Sequence, residues 1–173
     1  GGADYVIKDT SSDVLRKLDA GSWKSAAFKG EKIPFLEEVI ATVPKGKNLV
    51  VEIKCGSEII PFLKPVMTKT RKKSQIIFIS FDWDAIVKAK EAFPENKAYW
   101  LSGDKKTAMQ KLPAVKEAGL EGINMQYSAI DAELFAAARQ HQLEVLAWTV
   151  DQPEEAKRLI HLGVTHLTTN RPA

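Results

Sequence analysis

Glu52 and Lys54 place an acid and a base close together at the end of a short apolar run, Leu49–Lys54 (LVVEIK). Because side chains alternate across a strand, both residues are expected on one face. A carboxylate and an ammonium group that face the interior of a fold are costly unless they are paired, hydrated or bound to something. The spacing therefore predicts either a structural ion pair or a pair that binds a ligand.

Further polar residues stand at the ends of other apolar runs. They are Ser80, Asn124, Gln126, Thr149, Asp151, Thr169 and Asn170. In a barrel of parallel strands, the active site lies at the carboxyl ends of the strands. Asn124 and Gln126 are compatible both with ligand contacts and with hydrogen-bonded amides in the interior.

Other residues that commonly carry chemistry are few. The single cysteine, Cys55, follows a predicted strand with no histidine nearby in sequence, and we expect a small, half-buried, unreactive side chain. His141 and His161 are expected on helix surfaces, and His166 within the last strand as a packed or solvent-facing ring. No set of cysteines and histidines has the spacing of a metal site.

Strands and helices are predicted to alternate along the chain. Apolar runs predict strands at 49–54, 76–81, 98–101, 122–126, 143–150 and 164–168. Helical patterns predict helices from Asp82, over 107–118, over 131–141 and over 153–162, and two earlier ones from Ser11 or Ser12 to Leu18 and from Pro34. This repetition predicts a parallel sheet, either open or closed into a barrel. The polar strand ends favour the barrel, and the lack of a G-x-G-x-x-G motif disfavours dinucleotide binding.

Composition indicates one globular domain. The chain has 173 residues, of which 45% are hydrophobic and 27% charged, with a net charge of +3. Its basic runs, Arg71–Lys73 and Lys105–Lys106, are too short for a nucleic-acid surface. No apolar run approaches the roughly 20 residues that span a bilayer.

Four segments resemble the glycerophosphodiester phosphodiesterase family. Leu15–Ile40 (LRKLDAGSWKSAAFKGEKIPFLEEVI) resembles the stretch that leads to the third barrel strand of that family. Val51–Lys54 (VEIK) resembles its metal-ligand strand, Ala147–Asp151 (AWTVD) its penultimate strand, and Thr165–Pro172 (THLTTNRP) its closing strand. The resemblance implies that residues 1–173 form one partial (β/α)₈ TIM-barrel domain.

The resemblance also implies an activity, the metal-dependent hydrolysis of a small glycerophosphodiester to glycerol 3-phosphate and an alcohol. It implies that Glu52 binds a divalent cation, Ca²⁺ or Mg²⁺, and that Lys54 faces the substrate phosphate as a catalytic residue. One carboxylate cannot hold such a cation alone. Trp148 is implied to line the substrate pocket, although a core aromatic is the alternative. Phe81 is compatible with an apolar wall of that pocket and equally with core packing.

The chain departs from the family at its start. The family's His-Arg pair, its Glu-x-Asp metal ligands and its His-Asp hairpin are not found in the sequence. We therefore expect two strands to be missing at the N-terminus, and the chain alone to be inactive. Two alternatives stay open, a non-catalytic barrel that binds a phosphate-containing ligand and an unrelated (β/α)₈ or flavodoxin-like protein.

Overall fold

A computed structural model describes residues 4–172, and the chain divides into two compact units, 1–44 and 45–173. In the first unit, helix α1 spans Ser12–Leu15 and helix α2 spans Leu36–Thr42. Two short 3₁₀ helices, Ile7–Asp9 and Ala26–Phe28, complete its regular structure within the described part.

Helix α1 ends earlier than the sequence predicted. The backbone N–H groups of Lys17 and Leu18 bond three residues back instead of four, which tightens the last turn. Asp19 then accepts hydrogen bonds from the backbone N–H groups of Gly21, Ser22 and Gly30. A hydrogen bond from the Ser22 hydroxyl, together with these backbone bonds, holds the pKa of Asp19 far below its ordinary value. The carboxylate thus organises a turn where the sequence pattern suggested more helix.

The second unit contains one sheet of six parallel strands arranged in chain order. The strands are β1 (Leu49–Glu52), β2 (Ile76–Ser80), β3 (Lys97–Ser102), β4 (Gly122–Gln126), β5 (Glu144–Trp148) and β6 (His166–Leu167). All six predicted strands are confirmed, with bounds that shift by up to a few residues. The helices are α3 (Ile60–Lys69), α4 (Trp83–Ala92), α5 (Lys105–Glu117), α6 (Ala132–Gln140) and α7 (Pro153–Leu162).

Local sequence signals account for most of these helix ends. The carboxylates of Asp82, Asp104 and Asp131 accept hydrogen bonds from Ala85 N, Thr107 N and Leu134 N, which caps α4, α5 and α6. Helix α7 begins at Pro153 and ends before Gly163, whose φ of 104° suits a glycine.

Helix α3 is the element that the sequence did not predict. It holds Pro61 in its first turn and Pro65 in its interior. A proline inside a helix removes a backbone donor and is a usual sign of a helix end. Here Leu63 and Met67 bury one side of the helix, and this packing outweighs the local cost.

The sheet has an outer face that packs against helices and an inner face. On the outer side, the rings of Phe78 and Phe93 stack with centroids 5.3 Å apart. On the inner face, Ile77, Tyr99 and Leu146 form a buried cluster that Ile79 extends. Parallel β-strands lie about 4.8 Å apart, so side chains three strands apart in a flat sheet would be about 14 Å apart.

Candidate functional site

The acid and the base predicted on one face do lie side by side. Lys54 Nζ is 3.6 Å from Glu52 Oε2, which confirms that the two side chains share a face. Their side chains are 78% and 31% exposed, respectively. An exposed pair at this distance stabilises a fold by at most about 1 kcal/mol. A purely structural role therefore explains the pair poorly, and both groups are open to solvent and to a ligand.

Ser80 fixes the end of β1 that carries this pair. Its buried hydroxyl donates a 2.7 Å hydrogen bond to the backbone oxygen of Ile53, between the acid and the base. The N–H of Ile53 also bonds to the oxygen of Ile79, so the ladder continues past the last residue of β1. Ser80, one of the polar strand ends noted in the sequence, is therefore a structural residue on the outer face.

An aromatic pair lies at the same end of the sheet. Phe81 follows β2 and Trp148 ends β5, and their rings meet edge to face with centroids 5.6 Å apart. The sheet must curl for residues three strands apart to meet. Phe81 is 53% exposed and Trp148 half-buried, so Phe81 is not a core residue. The indole N–H of Trp148 donates to the backbone oxygen of Asn124 at 3.0 Å, which fixes its plane.

Asn124 and Gln126, both on β4, have different surroundings. Gln126 is exposed at the strand end and pairs in register with Trp148. Asn124 is only 3% exposed, and within residues 4–172 no donor reaches its side-chain oxygen Oδ1. Its strand partners in register are Leu101 and Leu146. The side-chain oxygen of Asn124 is therefore buried and without a hydrogen-bond donor among the described residues.

Sequence reasoning gave no role to Asp151, which ties together the ends of the last two strands. Its carboxylate accepts hydrogen bonds from Asn170 N at 2.7 Å, Asn170 Nδ2 at 2.9 Å and the Thr169 hydroxyl at 3.1 Å. These bonds hold the pKa of Asp151 below its ordinary value. The sequence contained a signal, since Asp151 follows the fifth strand and Asn170 follows the sixth, but it could not show that they meet.

A family model for the glycerophosphoryl diester phosphodiesterase family matches residues 1–173. The chain belongs to this family.

Individual relatives agree with this assignment. A glycerophosphodiester phosphodiesterase of Bacillus subtilis is 30% identical over 185 residues, covering 96% of this chain and 63% of that protein. One from Caldanaerobacter subterraneus is 28% identical and is covered over 70% of its length. The chain thus spans somewhat less than two thirds of the first relative.

Solved structures share the fold. A phosphodiesterase of Oleispira antarctica, in complex with the product sn-glycerol-3-phosphate, superposes with a TM-score of 0.86 at 26% identity, over 96% of this chain and 69% of that one. A glycerophosphodiester phosphodiesterase of Thermotoga maritima gives a TM-score of 0.72 at 21% identity, over 97% and 69% of the two chains, which shows the fold alone.

The histidines of this family member lie away from the acid–base pair in sequence and fold. His141 follows α6, His161 is on α7 with Nδ1 3.2 Å from the Lys157 oxygen, and His166 opens β6. His166 is exposed, with Nδ1 2.8 Å from the Thr165 hydroxyl. His161 is exposed, as predicted, and His141 is half-buried, whereas the sequence suggested a surface position. For His166, the solvent-facing alternative holds.

Two further expectations concern a thiol and a membrane. Cys55 is exposed, whereas the sequence suggested a half-buried position, because it lies in the loop just past β1. Among residues 4–172 there is no helix with the length and apolar character needed to cross a bilayer.

Proposed function

We propose that the protein to which this chain belongs hydrolyses glycerophosphodiesters to glycerol 3-phosphate and an alcohol. The observation that carries the proposal is the pair of Glu52 and Lys54, exposed side by side at the end of the sheet where Phe81 and Trp148 meet. Support comes from relatives named glycerophosphodiester phosphodiesterase and from a similar phosphodiesterase that holds sn-glycerol-3-phosphate.

Lys54 is assigned as the residue that binds the substrate phosphate and stabilises its charge. A phosphodiester is an anion that repels nucleophiles, and negative charge grows on its oxygens in the transition state. The ammonium group of Lys54 is 78% exposed, and the acidic Glu52 is 3.6 Å away. It is therefore free to move onto a non-bridging phosphate oxygen and to stabilise the developing charge.

Glu52 is assigned as one ligand of a divalent cation, Ca²⁺ or Mg²⁺. Its carboxylate fits one position in the oxygen shell that such ions require. The described residues do not complete the shell, because none of their acidic, histidine or cysteine side chains form a cluster of three or more. When bound, the cation would act as a Lewis acid and as a template for the phosphate.

Phe81 and Trp148 are assigned as the apolar wall of the substrate pocket. Their edge-to-face contact and the bond from Trp148 to Asn124 hold the rings in fixed positions. Such a wall lowers the local dielectric and strengthens the attraction between Lys54 and the phosphate.

The six strands are proposed to be part of a (β/α)₈ barrel. The strictly sequential parallel order of the sheet and its curl are what such a barrel requires. The family resemblance supplies a His pair for proton transfer, and none of His141, His161 and His166 is a candidate for it here. The remaining strands and the His pair would have to be contributed by other residues of the protein.

A second candidate is a non-catalytic barrel that binds a phosphate-containing ligand. It is favoured by the positions of His141, His161 and His166, none of which follows the carboxyl end of a strand near Glu52. This candidate predicts that phosphate-containing ligands bind without turnover.

The two candidates are separated with purified full-length protein and glycerophosphocholine. Release of glycerol 3-phosphate is measured after chelation and after readdition of Ca²⁺ or Mg²⁺. Glu52→Gln and Lys54→Met are expected to lower turnover by at least a hundredfold, with Glu117→Gln and Lys64→Met, both at exposed helix positions, as matched controls. Undiminished turnover in Glu52→Gln at saturating metal would reject its role, and no turnover in the unaltered protein would favour the binding barrel.

A further inference from the structure

Asn124 has the one buried side-chain acceptor without a partner in the part of the chain that the structure describes. The residue is 3% exposed, and its Oδ1 atom accepts no hydrogen bond there. A buried polar atom that lacks a partner destabilises a fold, because it has lost its hydrogen bonds to water and gained none in return. Such a cost points to a partner that is supplied from elsewhere.

The position of Asn124 indicates where that partner would lie. It pairs in register with Leu101 and Leu146, and Leu146 belongs to the inner-face cluster. Its backbone oxygen receives the indole N–H of Trp148. The next residue of β4 on the same face is Gln126, at the exposed strand end. Asn124 thus lies one step below the rim, beside the aromatic wall.

The chemistry of Oδ1 narrows the partner further. A carboxamide oxygen only accepts hydrogen bonds, and a phosphodiester anion carries no hydrogen that it could donate. The two would repel each other. The glycerol part of a glycerophosphodiester carries hydroxyl groups, which do donate.

We propose that Asn124 determines specificity for the glycerol moiety, its Oδ1 accepting a hydrogen bond from a glycerol hydroxyl. The inference rests on the proposed diesterase function and adds to it a residue that selects glycerol. A site that hydrogen-bonds a substrate hydroxyl rejects analogues that lack it, because its polar group is then left buried and unpaired.

The test compares two diesters with the full-length protein, glycerophosphocholine and propyl phosphocholine, which has the same leaving group but no glycerol hydroxyls. The ratio of their kcat/KM values measures hydroxyl selectivity. Asn124→Leu is expected to lower kcat/KM for glycerophosphocholine about 10- to 100-fold and to leave propyl phosphocholine unchanged within about threefold. Asn124→Ser, which keeps an oxygen acceptor at this position, is expected to restore part of the selectivity.

Asn96 provides a matched control. It is 6% exposed, but its amide donates to the backbone oxygens of Lys73 and Ile76 at 2.7 and 2.8 Å. Asn96→Ser is expected to lower stability and leave the substrate ratio unchanged. Asn124→Leu is expected to change the substrate ratio without lowering stability, because it removes an acceptor that has no protein partner among residues 4–172.

The outcomes distinguish a failure of the role given to Asn124 from a failure of the proposed diesterase function. If the unaltered protein hydrolyses glycerophosphocholine and Asn124→Leu keeps its substrate ratio, the role of Asn124 is rejected and the diesterase function stands. Loss of stability in Asn124→Leu with unchanged selectivity would reject that role too, since it would reveal a protein donor. If the unaltered protein hydrolyses neither diester, the proposed function is rejected and the inference falls with it.

Discussion

The phenol of Tyr99 on β3 donates a 2.6 Å hydrogen bond to Glu144 Oε2 on β5, although β4 lies between them. The residue between them in register is Gly122. A glycine leaves this position of the inner face open, and the curl of the sheet brings the two side chains together above it. The amino-terminal end of the inner face is thus closed by a polar pair, while its carboxyl end carries the candidate site.

Gly122 is expected to be essential for this arrangement. A Cβ atom at position 122 would lie 1.9 Å from the backbone oxygen of Glu144, and backbone atoms cannot move away cheaply. Gly122→Ala should therefore lower the free energy of unfolding by about 3 kcal/mol or more, measured by urea denaturation. Gly103→Ala is the control, because its Cβ would approach only Gln126 Oε1, at 3.4 Å. Equal stability of the two variants would contradict the prediction.

Glu144 should make the stability of the fold depend on pH. Burial acts to raise the pKa of Glu144, but hydrogen bonds from Tyr99 and Lys97 together outweigh it and leave the pKa below the usual 4.5. A lowered folded-state pKa contributes stability that is complete above 4.5 and is lost as pH falls through the folded value. Burial, with the Glu144 bond, also raises the pKa of Tyr99, so its hydroxyl keeps its proton.

Glu144→Gln tests this contribution. At pH 7 the variant should be less stable by about 1 kcal/mol, a value reduced by the partial exposure of the carboxylate. The difference from the unaltered protein, measured by thermal or urea unfolding, should shrink as pH falls below 4.5 and through the lowered folded-state pKa of Glu144. Glu154→Gln is the control, since Glu154 is 82% exposed in its pair with Lys157. A stability difference that stays constant from pH 7 to pH 3 would show that the charge of Glu144 is unimportant.

The parts of this fold that could be predicted from the sequence are those set by local chemistry. Apolar runs predicted all six strands and helical spacing predicted α4, α5, α6 and α7, because both signals act within a few residues. Helix α3 was missed because Pro61 and Pro65 are local signals against a helix that tertiary packing overrides. Helix α1 was predicted too long because Asp19 gathers N–H groups from as far as Gly30.

In the candidate site too, the features set by local sequence could be predicted and those set by tertiary structure could not. Period-two alternation was sufficient to predict that Glu52 and Lys54 share a face. The contact of Phe81 with Trp148 could not be predicted, since it depends on the curl of a sheet across four strands. The missing partner of Asn124 was likewise invisible, because a sequence does not show which interior amides find donors.

The contact between Phe81 and Trp148 should be measurable as a coupling energy. Phe81→Ala and Trp148→Ala, alone and combined, are expected to show a coupling of about 0.5–1.5 kcal/mol in urea unfolding, as for other edge-to-face pairs. A parallel cycle between Phe81 and Phe62, a 70% exposed ring on α3, should give additive changes. Additivity in the first cycle would mean that the two rings do not stabilise each other.

The carboxylate of Asp151 should control how firmly the end of β6 is held beside β5. In Asp151→Ala the backbone N–H of Asn170 loses its 2.7 Å acceptor, so its hydrogen exchange should accelerate about tenfold or more. Asp151→Asn keeps one oxygen acceptor and should retain part of the protection.

Because hydrogen bonds from Asn170 lower the pKa of Asp151, protection in the unaltered protein should persist at pH 4 and decline as pH falls through the lowered value. Asp84→Ala, which removes an exposed carboxylate paired with Lys88, is the control. Since β5 also carries Trp148, we expect Asp151→Ala to raise KM for a glycerophosphodiester more than it lowers kcat. Unchanged hydrogen exchange at Asn170 in Asp151→Ala would show that Asp151 does not hold the end of β6.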